Sequence, residues 1–458
     1  MKYFGTDGIR GKFGEFPIVE QFFRDLARAV EIFFAEENAE NLTICVGRDT
    51  RSSGDILLDA LLRGFSGTAK VLDCGIFPTP AISLATLASG ADVGIAITAS
   101  HNPGHHNGIK IFSGTGEKLT PVQEAEIERL LKRPSALKRS KKLPPTKAEM
   151  VDFRAAAKKI YAATYENFLP KCALSGKNIV LDMANGATCT VAEEIFRNFG
   201  ANVVPLGNSP DGKNINGGCG SEHPENLMEF VKRGEAFAGI AYDGDGDRMI
   251  MCDEMGEKIN GDVILGSVAR HMSESGELEN GKIVVTTQSN LGLDMYLKTI
   301  GISVIRCDVG DRNVQRTMLQ NDCAFGGENS GHLIFKKFSS VGDGLGASLY
   351  VLSLAAKENI KLSELKTKIA LLPQKSFNVT VARNVPIDKI PHLGSDIEKT
   401  KAKLPPPSRV EVRNSGTESM LRVLVEASDS NSVDDAWSDL KKSIIVRVTE
   451  SGIDASIS

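Results

Sequence analysis

Apolar residues along this chain recur in two rhythms. Short runs of β-branched and small apolar residues read as strands, and longer stretches with apolar residues three or four apart read as helices. Leu42–Val46, Ala69–Leu72 and Asp92–Thr98 fit strands; Ile18–Glu37, Asp55–Phe65 and Pro121–Lys132 fit helices. Pro134–Lys147, rich in Lys, Pro and Ser, reads as a connector. The rhythm then resumes with helix Asp152–Phe168 and strands Asn178–Asp182, Asn202–Leu206 and Ala236–Tyr242. Helix Asp262–Glu274, strand Lys282–Thr287 and helix Leu291–Ile300 follow. Beyond a break at Leu372–Lys375 the order changes: strand Phe377–Ala382, a helix near Ser395–Leu404, strands Arg409–Val412 and Leu421–Ala427, and helix Val433–Val448. Alternating strands and helices predict α/β architecture, and the last stretch predicts a small α+β domain.

One feature repeats. A small-residue strand runs into a polar loop at DVGIAITASHNP from Asp92, at AFAGIAYDGDGDR from Ala236 and at CAFGGENSGH from Cys323. If each strand sits in its own βαβ unit, the three loops leave equivalent strand ends, where α/β sheets bind ligands.

Composition narrows the partners. At about 150 residues per domain, 458 residues make roughly three or four domains. The 54 Lys+Arg against 58 Asp+Glu give a net charge of −4, which argues against general nucleic-acid binding. No stretch of eighteen apolar residues predicts a membrane span, and MKYFGTDGIRG has no apolar signal core. The eight cysteines are dispersed, without a C-x-x-C pair or zinc spacing, and read as reduced thiols of a cytoplasmic protein.

Four loops carry candidate chemistry. In the first, Ser100 stands just past a strand end beside His101 and ahead of Lys110. A serine attacks only if its proton is removed and the developing charge is stabilised. In the second, Asp243, Asp245 and Asp247 alternate with glycines, so three carboxylates can converge on one hard cation. Their spacing also fits an EF-hand loop, with Glu254 in the twelfth position; Arg248 where that loop needs Gly, and strand-like flanks, count against it. Magnesium suits a phosphate enzyme better than calcium, being shared between carboxylates and phosphate oxygens. In the third, Glu328 and Ser330 can hydrogen-bond vicinal hydroxyls, and His332 can transfer a proton. In the fourth, Ser415, Gly416 and Thr417, flanked by Arg413 and Arg422, suit a phosphate dianion without being a Walker loop. Arg10, Arg48 and Arg51 are further basic candidates. Together the loops predict nucleotide-free phosphoryl transfer on a phosphorylated polyol.

TASHNP, DGDGDR, GENSGH and RNSGTES stand in the order and spacing of the α-D-phosphohexomutases, and the chain resembles that family over essentially its whole length. Three stretches are similar to the branch acting on aminohexose phosphates: YFGTDGIRG, NINGGCGSEHPENL (Asn214–Leu227, with Ser221 and His223) and VGDRNV (Val309–Val314). The resemblance implies an α/β fold with four domains around a central cleft. Three related α/β domains span 1–148, 149–258 and 259–372, and a C-terminal α+β phosphate-binding domain spans 373–458. It implies that Ser100 carries a phosphoryl group and that Mg2+ is held by Asp243, Asp245, Asp247 and an oxygen of the Ser100 phosphate. It further implies donation to O1 of glucosamine 6-phosphate, turnover of the 1,6-bisphosphate in the cleft, and return of the 6-phosphate to Ser100. His101, Lys110, Arg10 and His332 match positions assisting proton transfer or charge stabilisation, and Arg248 matches one that steadies the phosphoserine or metal loop. Glu328 and Ser330 match the sugar-reading positions; Arg413, Ser415, Gly416, Thr417 and Arg422 match the substrate-phosphate site. A kinase or a hexose 1,6-bisphosphate primes Ser100. The partners implied are phosphosugars, not nucleic acid or membrane, for a monomer or homodimer. The nearest alternative is the same mechanism on mannose or glucose phosphates; a non-catalytic phosphosugar- or calcium-binding protein lies further off. Two positions depart from the family pattern: His106, often Asp, and Ser419, usually Pro, whose loss predicts a looser phosphate cradle.

Overall fold

The computed structural model describes residues 2–37, 42–132, 147–382, 386–415 and 419–457. The connector expected at Pro134–Lys147 lies, Lys147 excepted, outside the described residues. The chain divides into two compact units, Met1–Thr286 with Ile305–Lys366, and Thr287–Val304 with Thr367–Ser458.

The first unit contains three sheets of related design. The first runs Ile9–Lys12, His106–Ser113, Val93–Ile97, Thr43–Arg48, Lys70–Ile76, Glu149–Asp152. The second runs Lys258–Ile259, Met249–Cys252, Ala238–Tyr242, Asn178–Asp182, Asn202–Leu206. The third sets Phe325–Gly327 between Lys282–Thr286 and Leu333–Phe335. Each has one strand that is parallel to one neighbour and antiparallel to the other: Val93–Ile97, Ala238–Tyr242 and Phe325–Gly327. These are the three strands of the sequence repeat. Their loops therefore leave the carboxyl ends of parallel strands at the point where strand direction changes, the part of an α/β sheet that accepts ligands.

Helix Glu20–Glu37 shows why the pattern was readable. Phe23, Leu26, Ala27 and Val30 are buried at i, i+3, i+4 and i+7, while Arg24, Asp25 and Arg28 are partly exposed. Each large side chain buried this way contributes about 1.5–3 kcal/mol. Helices Thr79–Ser89 and Gly344–Glu358 were not predicted. Most of their residues are buried, so neither has the polar stripe that marks a helical period.

The second unit is an antiparallel sheet in the order Ser408–Asn414, Met420–Ala427, Gln374–Val381, Ala455–Ile457, packed with helices Leu393–Lys403 and Ser430–Glu450. The α+β reading holds. Thr287–Val304, which carries helix Leu291–Thr299, lies within this compact unit although it precedes the break at Leu372–Lys375. Arg409 donates to the Ser289 carbonyl at 2.9 Å and pairs with buried Glu426 at 2.7 Å; Glu426 also accepts from the Leu291 N–H at 2.7 Å. Such a long-range pairing leaves no local trace in the sequence.

Candidate active site

Ser100 sits beyond Val93–Ile97 in the left-handed region (φ 52°) and is buried. A non-glycine residue there is strained, and its surroundings must hold it. Its Oγ donates to Asp243 Oδ2 at 2.6 Å, and His101 Nδ1 lies 3.4 Å away. Asp243, Asp245 and Asp247 occupy the turn between strands Ala238–Tyr242 and Met249–Cys252. Those antiparallel flanks rule out an EF-hand, and Glu254 pairs with the Ser363 hydroxyl instead. The loop fits against Ser100 only with glycine at 244, where a Cβ would stand 2.6 Å from the Ser100 carbonyl oxygen.

The three aspartates are buried, with one carboxylate oxygen from each lying within 4.8 Å of the others. Asp245 Oδ1 and Asp247 Oδ1 are buried without a hydrogen-bond partner. An all-oxygen donor set with two such atoms fits a hard cation. On the other side of the cluster Lys110 Nζ lies 2.8 Å from Asp245, 2.7 Å from Asp247 and 3.0 Å from Asp7. Burial opposes the charge on Lys110, yet these carboxylates hold its pKa well above the usual lysine range. Burial also opposes ionisation of Asp247, yet Lys110 brings its pKa well below the usual range. Asp243 goes the other way, pushed up by burial and by its two neighbouring aspartates.

A second ring of charge surrounds this centre. Arg10 pairs with Asp7, and Lys118 joins Asp7 to Asp311. His332, buried, lies 3.8 Å from Asp247 and 3.9 Å from Asp311; burial opposes its proton, but Asp247 raises its pKa. His101 is pushed down to about 4 by burial, with Arg248 and Arg10 adding to the effect. Arg248 donates its backbone N–H to Asp243 and points its guanidinium toward Asp247, 3.9 Å away. Glu328 is buried and accepts from the Gly310 N–H at 3.0 Å, whereas Ser330 is exposed. A cavity of about 630 Å³ borders the Ser100 loop, lined by His101, Gly104, Asn216, Glu222 and His223 among others.

In the second unit, Arg413 and Arg422 are direct cross-strand partners, so both guanidinium groups start from the same sheet face. Buried Ser415 donates its N–H to the Met420 carbonyl at 2.8 Å. Gly416 and Thr417 lie outside the described residues.

The structure thus gathers Ser100, His101, Lys110, Arg10, Asp243, Asp245, Asp247, Arg248, Glu328 and His332 in the first unit. Of the further basic candidates, Arg48 pairs with Asp55 at 2.6 Å, and Arg51 is fully buried on Asp49 and backbone carbonyls. Sequence reading missed Asp7, Lys118 and Asp311 as members of the ring. Asp7 and Asp311 do lie in two of the quoted stretches, YFGTDGIRG and VGDRNV.

Three direction-change loops, one carrying a serine, one a carboxylate triad and one a buried glutamate, define the phosphohexomutase class of α/β proteins. The phosphoglucomutase/phosphomannomutase family models match in order: alpha/beta/alpha domain I at residues 1–138, domain II at 159–256, domain III at 260–371 and the C-terminal domain at 377–440. A phosphoglucosamine mutase of Campylobacter concisus (strain 13826) is 40% identical over 450 residues, 96% of this chain and 98% of that protein. The chain belongs to this family, in its phosphoglucosamine mutase branch. A family member from Burkholderia thailandensis shares the fold, with a TM-score of 0.79 at 21% identity over 97% of each chain. So does Aspergillus fumigatus N-acetylphosphoglucosamine mutase, solved with GlcNAc-6P and magnesium, with a TM-score of 0.66 at 17% identity over 98% of this chain and 96% of that one. No helix among the described residues is long and apolar enough to cross a membrane.

Proposed function

We propose that this chain interconverts glucosamine 6-phosphate and glucosamine 1-phosphate through a phosphoserine at Ser100, in the supply of cell-wall amino sugar. The observation that carries this reading is the Ser100–Asp243 hydrogen bond inside a buried carboxylate triad ringed by Lys110, Arg10 and Arg248. Asp243, Asp245 and Asp247 would hold Mg2+, which when bound supplies positive charge to the phosphoryl oxygens.

The chain's own residues account for the rest. The Ser100 Oγ–P bond breaks as the O1–P bond forms, giving the 1,6-bisphosphate; Ser100 Oγ takes up a proton as it leaves. Neutral His101, beside Ser100, accepts the O1 proton. After the bisphosphate turns over, the O6–P bond breaks as the Ser100 Oγ–P bond forms again; Ser100 gives up its proton and O6 takes one up, releasing glucosamine 1-phosphate. Lys110, held protonated by three carboxylates, acts as a fixed cation rather than a base. His332, held toward its protonated form by Asp247, is the acid of the pair. Glu328 and Ser330 read the sugar hydroxyls, and Arg413, Ser415, Gly416, Thr417 and Arg422 take the phosphate that is not reacting. The four domains keep the boundaries 1–148, 149–258, 259–372 and 373–458. A kinase or a hexose 1,6-bisphosphate primes Ser100 in the cytoplasm, on a monomer or homodimer.

The test is a coupled assay with Mg2+ and glucose 1,6-bisphosphate on glucosamine, mannose and glucose 6-phosphates. Preference for the aminosugar is expected. Preference for mannose or glucose would keep the mechanism and overturn the substrate. No turnover on any, with Ser100 shown phosphorylated, would overturn both.

A further inference from the structure

Arg51 and Asn216, neither used by the chemistry above, meet behind the Ser100 loop. A guanidinium has five N–H donors, and those of Arg51 are all engaged. Nε donates to Asp49 Oδ2 at 2.9 Å. Nη1 donates to the carbonyls of Pro103 at 2.5 Å and His106 at 3.0 Å. Nη2 donates to those of Ser100 at 3.0 Å and Asn102 at 2.7 Å. Asn216, from the second sheet's module, donates Nδ2 to two of the same carbonyls, Ser100 at 2.9 Å and Asn102 at 3.0 Å. Thus two carbonyls of the loop take one donor from each side. Asp49 completes the frame by accepting from Thr98 Oγ1 at 2.7 Å, and Thr98 Oγ1 in turn accepts the Ser100 N–H at 2.9 Å. The residues that hold the clamp are themselves tied across the modules: Thr50 Oγ1 donates to the Asn185 carbonyl at 2.5 Å, and the Ser52 N–H to that of Gly212 at 2.9 Å.

We infer that Arg51 and Asn216 are positioning residues that lock Ser100 in its left-handed conformation, and so fix its Oγ on the carboxylate triad for phosphoryl transfer. The inference deepens the mutase reading and rests on it. The left-handed backbone at Ser100 is unfavourable by itself, and the two donors on its carbonyl oppose relaxation to an extended form. Lysine cannot replace Arg51, because a point charge with three donors does not span four carbonyls and a carboxylate. Asn216 is the more informative position. Its Cγ amide reaches the loop from another module, and its removal leaves the Arg51–Asp49 pair intact.

The experiment compares wild type with Asn216→Ala, Asn216→Asp and Arg51→Lys in the primed, magnesium-supplemented assay, with amide hydrogen exchange across Ser100–Asn107. Asn216→Ala is expected to lower kcat about ten- to a hundredfold with KM and Mg2+ affinity within about twofold, and to speed exchange in that segment. Asn216→Asp is expected to lose more, because it sets carboxylate oxygens against two carbonyls. Arg51→Lys should resemble it; if that variant does not fold, the Asn216 pair decides. A kcat retained within twofold in both Asn216 variants, a loss that tracks Mg2+ affinity or KM, or unchanged exchange would each overturn the clamp. A wild type that is silent on all three hexose phosphates would overturn the reading beneath it, and the exchange result would still decide the clamp.

Discussion

Ser100 Oγ donates to Asp243 Oδ2 at 2.6 Å, joining the loop of the first sheet to that of the second. The candidate nucleophile thus rests on the candidate metal site across a module boundary. Two strand ends with the same junction of parallel and antiparallel pairing make that contact.

Replacing Ser100 with alanine removes the atom proposed to carry the phosphoryl group. Turnover is expected to fall by at least about 10⁴-fold, while glucosamine 6-phosphate binding by calorimetry stays within about threefold. Turnover within tenfold of wild type would reassign the nucleophile.

Asp245, a proposed Mg2+ ligand, has two partners in the structure: it accepts from Thr79 Oγ1 at 2.6 Å and from Lys110 at 2.8 Å. Asp245→Asn is expected to weaken Mg2+ binding at least about tenfold and to lower kcat. A ligand at 100 times its Kd stabilises a fold by about 2.7 kcal/mol. Saturating Mg2+ should therefore raise the melting temperature of wild type and leave the variant little changed. Equal shifts in the two proteins would remove Asp245 from the ligand set.

Glu124 gives a pH prediction away from the metal loop. It is buried and pairs with Arg312 at 2.5 Å. Burial pushes its pKa up to about 7, with Arg312 pulling the other way. A carboxyl whose folded pKa is raised binds more protons folded than unfolded, so its contribution favours folding at low pH and is lost as pH rises through about 7. Chemical denaturation between pH 5 and 8 should show this fall in wild type. Glu124→Gln should flatten it; an identical slope in the variant would place the titration elsewhere.

Gly331 sits at the tip of the Glu328 loop with φ +92°, where a Cβ would stand 1.9 Å from the Met249 carbonyl oxygen. The neighbour is backbone and cannot give way. Gly331→Ala is expected to cost about 3 kcal/mol and to raise the sugar-phosphate KM. An unchanged melting temperature would mean that the loop does not rest on Met249.

These sites differ in how far the sequence disclosed them. Ser100 and the three aspartates were legible because each follows a strand that is itself legible, in a loop whose spacing allows few other readings. Arg51 was misread. A sequence shows a cation beside a glycine-rich loop, but not that four carbonyls fold back onto it. Lys118 was missed for the same reason: its partners lie far along the chain, and it belongs to no local pattern. Asp311 stands inside VGDRNV, but nothing local in that stretch shows that it meets Lys118. Helix Gly344–Glu358 escaped because burial on nearly all sides erases the period that reveals a helix.

Arg422 tests the second unit. It stands directly across from Arg413 at the base of the loop that continues through Ser415. Both isomers carry a phosphate, and so does the bisphosphate, so the phosphate binding proposed for this site is common to ground and transition states. Uniform binding of that kind moves KM and leaves kcat. Arg422→Ala is accordingly expected to raise the glucosamine 6-phosphate KM about ten- to a hundredfold, with kcat within about threefold, and to reduce the stabilisation of the protein by inorganic phosphate. A fall in kcat at unchanged KM would mean instead that Arg422 acts on the phosphoryl group in transfer.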